Sequence, residues 1–311
     1  MGGYSYNPDK AISSLAGKVV LVTGANAGIG KQTALDLSKH SPTQVWVAAR
    51  NAQSGMEAVE QIKAAASPET SVQFVELDLS SFASVKSAAK KVAAESDRMD
   101  ILALNAGMMG GDAGVTEDGY ERQFATNHMG HALLLKLLTP LLLKASKERI
   151  GAQARVVILS SAAHKTGPLP RNGIDFETIK TSQGNIMGIT KYAQSKLANA
   201  VYATAVAKRY PEITTVAINP GEVKTGLFAK GSVSGGWVIK LLNWVVAPML
   251  WLPVEEGAKN SLWAATSAEA ESGRFYDPVG KKDCESDTVR QGKLGEQLWA
   301  WTENELKGHE L

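Results

Sequence analysis

A tyrosine and a lysine four residues apart, Tyr192 and Lys196, are the side chains of this sequence best suited to proton transfer. In a helix, residues at this spacing lie on one face about one turn apart. A free tyrosine titrates near a pKa of about 10, but a neighbouring ammonium stabilises the phenolate and lowers that pKa. The spacing therefore indicates a general acid or base working near neutral pH. The same spacing occurs by chance on many helices, so the pair needs support from other parts of the chain.

A glycine-rich segment near the start of the chain is suited to binding a phosphate group. Gly24, Gly28 and Gly30 stand in the run TGANAGIG, between an apolar run and a predicted helix. Gly24 permits a tight turn, Gly28 lets the backbone approach a pyrophosphate, and Gly30 lets the helix pack on the sheet. The helix start then offers unpaired N–H groups to the anion. A lone glycine run can be a plain turn, and the position between strand and helix favours the phosphate site.

Short apolar runs alternate with longer helical stretches, and these elements must position the residues above. The predicted strands are 18–22, 44–48, 71–77, 101–104, 154–159 and 214–218, and the predicted helices are 30–39, 56–66, 82–94, 132–144 and 192–209. Strands separated by helices indicate βαβ units and a parallel sheet. Such a sheet binds its ligands at the carboxyl ends of its strands.

The composition is that of an ordinary globular protein and excludes a disordered, collagen-like or coiled-coil chain. Of the 311 residues, 44% are hydrophobic and 21% are charged, and 33 basic against 31 acidic side chains give no support for nucleic acid as a partner. Cys284 is the sole cysteine, which excludes an intrachain disulfide and a cysteine-rich metal site and fits a reducing compartment. The sequence predicts neither a secretory signal nor a transmembrane span.

Seven motifs, in one order along the chain, resemble those of the short-chain dehydrogenase/reductase family. They are TGANAGIG, ELDLS with Asp78, the Asn105-Ala106-Gly107 motif, Asn127, Ser161, YAQSK with Tyr192 and Lys196, and PGEVKT from Pro220 to Thr225. The resemblance covers about residues 15–230. It implies an α/β fold, a Rossmann-type doubly wound parallel sheet in a single domain, with a nicotinamide cofactor and activity on a carbonyl/alcohol pair.

The resemblance also implies a role for each motif. Tyr192 exchanges the proton, Lys196 tunes Tyr192 and binds the nicotinamide ribose, and Ser161 orients the carbonyl oxygen. Asn127 holds a water that links Lys196 to solvent, and Asp78 contacts the adenine. The predicted cofactor-binding residues are Gly24, Asn26, Gly28, Ile29, Gly30, Arg50, Asp78, Leu79, Asn105, Ala106, Gly107, Tyr192, Lys196, Pro220, Val223 and Thr225.

Arg50 bears on the choice of cofactor. It follows the second predicted strand, where an acidic side chain would bind the free ribose of NAD, and the run VAARN holds no carboxylate. A guanidinium can form a charge-assisted fork on a 2′-phosphate. In the family such an arginine implies NADP(H), which is the predicted cofactor. The alternative is a solvated charge at a strand end.

Three histidines near the motifs, His128, His131 and His164, are the remaining candidates for chemistry. His128 and His131 are three residues apart, with no carboxylate or cysteine at helical spacing to complete a metal site. We therefore predict no metal site and interpret these histidines as packing or surface residues.

Ser161 and Tyr192 are 31 residues apart, and the gap contains the run Gly173-Ile174-Asp175-Phe176. This run, with SSAAH and YAQSKLAN, resembles the branch of retinol dehydrogenases and WW-domain oxidoreductases, which implies a lipophilic substrate. We divide the single domain, 1–311, into a cofactor-binding and catalytic core (about 15–230), a substrate lid (about 226–255) and a C-terminal extension (256–311). Residues 237–252, with three tryptophans, predict an apolar pocket lid, a core or subunit contact, or a patch on a membrane surface.

The predicted protein is an NADP(H)-dependent oxidoreductase that reduces a lipophilic ketone or aldehyde in the cytoplasm. Peripheral contact with a membrane and a homo-oligomer are both compatible with the sequence. Two alternatives keep the same fold and cofactor site. One is nonredox or isomerising catalysis, and the other is a cofactor-binding regulatory protein without turnover.

Overall fold

The computed structural model describes residues 5–148, 153–223 and 252–311. Their seven strands form one parallel sheet in the order β3-β2-β1-β4-β5-β6-β7. The strands are β1 Val19–Thr23, β2 Gln44–Ala49, β3 Ser71–Glu76, β4 Ile101–Leu104, β5 Ala154–Leu159, β6 Ile213–Ile218 and β7 Phe275–Tyr276. The order changes direction between β1 and β4, and the carboxyl end of the sheet at that point is where ligands bind in such folds.

Helices cover both faces of the sheet, which confirms the doubly wound α/β prediction. They are α1 Pro8–Ala11, α2 Gly28–Ser38, α3 Ala52–Lys63, α4 Phe82–Glu95, α5 Arg122–Phe124, a π-helical turn Ala125–Met129, α6 Gly130–Glu148, α7 Ala163–Thr166, α8 Gly188–Arg209, α9 Val254–Thr266, α10 Asp287–Gln291 and α11 Lys293–Glu305. No helix among the residues described has the length and apolar character to cross a membrane.

Alternate residues of the central strand supply the two halves of the core. Val19 and Leu21 of β1 pack into the layer formed by α4, α6, α8 and α11, whereas Val20 and Val22 pack into the layer of α2, α3 and α9. This alternation follows from the period of two in a strand. The near-continuous apolar runs of the sequence therefore mark strands that are buried on both faces.

Several helices extend beyond their predicted bounds; α8, for example, begins at Gly188, four residues before its predicted start. For α3 and α6 the local reason is clear. The α3 helix begins at Ala52, since Asn51 caps it by accepting a hydrogen bond from the Ser54 N–H. The α6 helix runs past Pro140 to Glu148, although the sequence predicted that this proline lies near its end. Pro140 is exposed, so water can replace the backbone hydrogen bond that the proline removes.

The C-terminal extension, 256–311, completes the fold instead of lying outside it. Its β7 pairs with β6, and its α11 packs along α8 with Leu298 fully buried. Neither β7 nor α11 was predicted from the apolar pattern. Most of the predicted lid, from 226 to 251, lies outside the described residues.

We expect Gly130→Ala to destabilise the protein, although alanine is the better helix former. A Cβ on Gly130, the first residue of α6, would meet the backbone of Leu79, with the Leu79 Cα and carbonyl carbon 2.9 Å away. Such overpacking against backbone costs about 1–3 kcal/mol, more than the roughly 1 kcal/mol that alanine gains over glycine. Urea unfolding measures the free energy of unfolding of both proteins.

The matched control is Gly188→Ala at the first residue of α8. There an added Cβ has its nearest neighbours at 3.9 Å, so we expect no loss of stability. A Gly130→Ala protein as stable as the wild type would contradict the close approach of α6 to Leu79.

Candidate active site

The glycine-rich loop leaves a cradle that side chains would fill. Gly24 has a φ of +66°, and a Cβ there would lie 3.0 Å from the Ala106 Cα. A Cβ on Gly30 would lie 2.6 Å from the Gly24 carbonyl oxygen. Ala27, before α2, makes no side-chain cap, so the first N–H groups of this helix remain available. The loop therefore fits a phosphate group at the positive end of a helix.

One hydroxyl group holds this loop to the next motif. The Thr23 Oγ1 accepts hydrogen bonds from the Asn105 and Ala106 N–H groups, both at 2.9 Å, and lies 2.9 Å from the Nε2 of His131. The Asn105 side chain donates back to the Thr23 carbonyl oxygen at 2.9 Å. These contacts place Asn105-Ala106-Gly107 beside Gly24.

His131, which the sequence predicted to be a packing or surface residue, is buried and hydrogen-bonded within the site. Its Nδ1 lies 3.0 Å from the Asn127 carbonyl oxygen, which can only accept, so Nδ1 carries the hydrogen. The Nε2 of a neutral ring then accepts from the Thr23 hydroxyl. Burial lowers the pKa of His131 to about 4 and that of His128 to about 3, so both stay neutral near pH 7. His131 lies four residues after Asn127, and this helical spacing was the sequence feature that could have placed it beside the site.

Asn127 lies in the π-helical turn, and its side chain is fully used by the protein. Its Oδ1 accepts from the Met108 N–H at 2.8 Å, and its Nδ2 donates to the Met108 carbonyl and to the Ser195 Oγ. Asn127 thus fixes the loop after β4 against α8. The predicted water relay would have to use its main-chain carbonyl, which already accepts from His131.

Tyr192 and Lys196 lie on one face of α8, as their spacing predicted. Both are nearly buried, and the Lys196 Nζ is 5.6 Å from the centre of the Tyr192 ring. The same Nζ donates to the Leu159 carbonyl at 3.0 Å. Gly107 is close by, since an added Cβ would lie 3.4 Å from the Nζ. The end of β5, the loop after β4 and α8 therefore meet at the lysine.

Among the protein groups, burial dominates the protonation of Tyr192 and raises its pKa, with hydrogen bonding to Ser161 opposing it. The lowering expected from the ammonium together with the positive nicotinamide ring of an oxidised cofactor stays a prediction. Burial also lowers the pKa of Lys196 to about 8. Tyr192 is thus a protonated phenol near neutral pH, and most Lys196 side chains remain charged at pH 7.

Ser161 lies in the turn after β5, next to Tyr192. Its Oγ accepts a hydrogen bond from the Ala163 N–H at 3.2 Å, which orients the hydroxyl. The neighbouring Ser160 Oγ donates to the Lys196 carbonyl at 2.7 Å. The structure thus brings Ser161, Tyr192, Lys196 and Asn127 together, as predicted.

The predicted adenine end of the site is more open. Arg50 is exposed and has no side-chain hydrogen bond or ion pair with the residues that the structure describes. The Asn26 side chain donates to the Ser54 Oγ at 3.1 Å. The Asp78 Oδ1 accepts from the Ser80 N–H and hydroxyl, so its Oδ2 remains available, and Leu79 beside it is buried.

The last motif is only partly within the described residues. Pro220 follows β6, and the buried Val223 forms a bridge with Leu252. Thr225 lies outside the residues described. Within the described ranges, no group of three or more His, Cys, Asp or Glu side chains is placed to hold a metal ion.

Comparison with known proteins agrees with this arrangement. A sequence profile described as short chain dehydrogenase matches residues 18–170. The Aspergillus calidoustus short-chain dehydrogenase/reductase drtF is 35% identical over 97% of each chain. Bovine retinol dehydrogenase 12 is 37% identical over 92% of this chain and 85% of its own.

Solved structures share the fold. An uncharacterized protein from Mycobacterium paratuberculosis is 26% identical over 98% of each chain, with a TM-score of 0.73. Among more distant structures, at 24% and 21% identity, one was solved with NADP and another with NADH, so the fold accommodates either cofactor. On its motifs, its site and these relatives, the chain belongs to the short-chain dehydrogenase/reductase family.

Proposed function

We propose that this chain is an NADP(H)-dependent oxidoreductase that interconverts a carbonyl and an alcohol, reducing a lipophilic ketone or aldehyde. The observation that carries the proposal is the meeting of Ser161, Tyr192 and Lys196 at the carboxyl end of β5, beside the glycine cradle. The family makes the chain an oxidoreductase that uses a nicotinamide cofactor.

The protein groups supply the proton chemistry of this reaction. Burial keeps Tyr192 protonated, so its hydroxyl can donate to the oxygen of a carbonyl while the Ser161 hydroxyl orients that oxygen. The Lys196 ammonium then stabilises the phenolate that remains. A bound nicotinamide supplies the hydride in reduction and accepts it in oxidation.

Two observations support NADP(H) over NAD(H). The end of β2 carries no carboxylate to bind a free ribose, and Arg50 is exposed without a partner among the residues described. A guanidinium with its donors free can form a bidentate pair with a 2′-phosphate. Asn51, Ser54 and Asn26 line the same strand end with polar groups.

The lipophilic substrate is supported by the relatives and by the sequence. The bovine relative is named for retinol, a lipophilic alcohol. The apolar run 237–252, which predicts the substrate lid, lies mostly outside the described residues and stays a prediction. A cytoplasmic location, contact with a membrane surface and a homo-oligomer stay predictions as well.

The first test replaces Tyr192 by phenylalanine. Loss of the proton donor should lower kcat for reduction of a lipophilic aldehyde or ketone by about 10²- to 10⁴-fold. The ring and its packing are kept, so the Kd for NADPH, measured by fluorescence titration, should change little. NADPH absorbance follows turnover, and a variant with wild-type kcat would contradict the role of Tyr192.

The second test replaces Arg50 by alanine. Hydrogen bonds to a charged group are worth about 1.5–3 kcal/mol, so the KM for NADPH should rise by roughly 10- to 150-fold while the KM for NADH stays the same. Arg290→Ala, an equal charge change on α10, is the control and should alter neither value. Equal effects of Arg50→Ala on both cofactors would argue against a 2′-phosphate contact.

The third test follows the charge of Lys196 with pH. Since burial lowers its pKa to about 8, raising the pH through 8 removes the ammonium and should lower kcat/KM for reduction. Lys196→Arg keeps a cation at all these pH values. The pH at which kcat/KM begins to fall should therefore be higher in this variant, whatever the maximum value of its kcat/KM. If kcat/KM of the variant falls at the same pH as that of the wild type, a group other than Lys196 causes the fall.

A further inference from the structure

A buried histidine shares the loop that carries Ser161, and both of its ring nitrogens are hydrogen-bonded. The Nδ1 of His164 is 2.7 Å from the Ser161 carbonyl oxygen, and its Nε2 is 3.3 Å from the Ser286 backbone nitrogen. The carbonyl can only accept and the amide can only donate, so the ring is neutral with its hydrogen on Nδ1. Burial lowers the pKa of His164, which agrees with a neutral ring.

Ser286, the partner of His164, belongs to residues 277–286, here called the C-terminal segment. This segment also contacts the loop after β5 and the loop after β6. Lys165, next to His164, pairs with Asp277 at 3.5 Å and donates to the Cys284 carbonyl. The Asp277 Oδ1 accepts from the Asn219 Nδ2 at 2.9 Å, directly before the turn at Pro220. The C-terminal segment thus joins the loop after β5 to the loop after β6.

Ser161 lies in a short turn, and its carbonyl accepts hydrogen bonds from the backbone N–H of His164, at 3.1 Å, and from the His164 ring. The helix that follows it, α7, is four residues long, and the His164 ring packs 4.4 Å from the ring of Phe275 in β7. A hydroxyl that orients a reacting oxygen loses its effect when it is misplaced, and an error of 1 Å can cost about 100-fold in rate. The bond to the Ser161 carbonyl acts directly on the residue that presents this hydroxyl.

We propose that His164 is a positioning residue for Ser161, held in place by the Ser286 N–H of the C-terminal segment. The C-terminal segment, far from every family motif in the sequence, is thereby part of the support of the active site. The proposal rests on the proposed function, in which Ser161 orients the carbonyl oxygen.

Paired amide variants separate the two bonds of His164. In His164→Asn the side-chain nitrogen stands near the place of Nδ1 and can still donate to the Ser161 carbonyl. The bond from the Ser286 N–H is lost, so kcat should fall by about 3- to 10-fold, as in Ser286→Pro. The longer side chain of His164→Gln extends past this place toward Ser286. His164→Leu can neither donate to the Ser161 carbonyl nor accept from the Ser286 N–H. Both should lower kcat by about 10- to 100-fold with an unchanged Kd for NADPH. Wild-type kcat in His164→Leu, or equal losses of kcat and Tm in all three variants, would overturn the proposal.

The link to the C-terminal segment has its own pair of variants. Ser286 has a φ of −69°, which proline adopts, so Ser286→Pro removes the N–H without changing this angle. Ser286→Ala keeps the N–H, and the difference between the two variants reports the bond to His164. We expect a kcat about 3- to 10-fold lower for Ser286→Pro than for Ser286→Ala at similar Tm. Equal kcat values would overturn the role of the C-terminal segment.

A measurement without substrate keeps this proposal separate from the proposed function. The chain has five histidines, and the ¹⁵N signals that disappear in His164→Asn identify this ring in the labelled wild type. We expect a neutral ring protonated on Nδ1 at pH 8. An Nε2-protonated ring would overturn the link to Ser161. If the wild type binds NADPH but reduces no carbonyl, the proposed function fails, and this signal still decides whether the link exists.

Discussion

The hydroxyl group of Thr23 is the contact on which the geometry of the site depends. Its oxygen has two lone pairs and one hydrogen, and all three are used, by the Asn105 N–H, the Ala106 N–H and the His131 Nε2. Through His131 the same chain of bonds reaches the Asn127 carbonyl. Since an unsatisfied buried donor or acceptor costs about 1–3 kcal/mol, a shift of any one loop is opposed by the others. The end of β1, the loop after β4 and the start of α6 therefore behave as one unit.

Neutral histidine rings are well suited to joining two loops by hydrogen bonds. A neutral ring offers one donor and one acceptor on opposite sides, so it can join a carbonyl to a hydroxyl or an amide across a distance that a serine cannot span. The two buried rings at the site both carry the hydrogen on Nδ1 and both donate it to a main-chain carbonyl, that of Asn127 or that of Ser161. Burial keeps the rings neutral, because a charged imidazolium would lose its hydration. At His164 the nearby carboxylates of Asp277 and Glu285 oppose this effect but do not outweigh it.

The sequence was sufficient for the parts of the molecule that depend on local patterns. Strands β1, β2, β4, β5 and β6 are buried on both faces and read as apolar runs, whereas β3 is partly exposed. The motifs that follow these strands converge because parallel strands end at one edge of the sheet. It was insufficient where the partner is distant in the chain. The two residues of β7 are a strand only because β6 lies beside them, and His164 finds its partner 122 residues away at Ser286. His131 has no motif of its own to mark it, and Thr23 begins the TGANAGIG motif, whose glycines alone drew attention in the sequence.

The protonation of Tyr192 shows why spacing alone could not predict the electrostatics. A spacing of four places Lys196 beside the tyrosine, but it does not reveal that both side chains are nearly buried. Burial disfavours every charged form, so it raises the pKa of the phenol and lowers that of the amine at the same time. In the protein without ligand, Tyr192 therefore stays protonated, because its buried surroundings disfavour the charged phenolate. The charge that makes the phenolate accessible must then come partly from what binds next to it, so that proton transfer is favourable only when the site is filled. This coupling limits the reactivity of the tyrosine in the free protein and ties it to the presence of a cofactor.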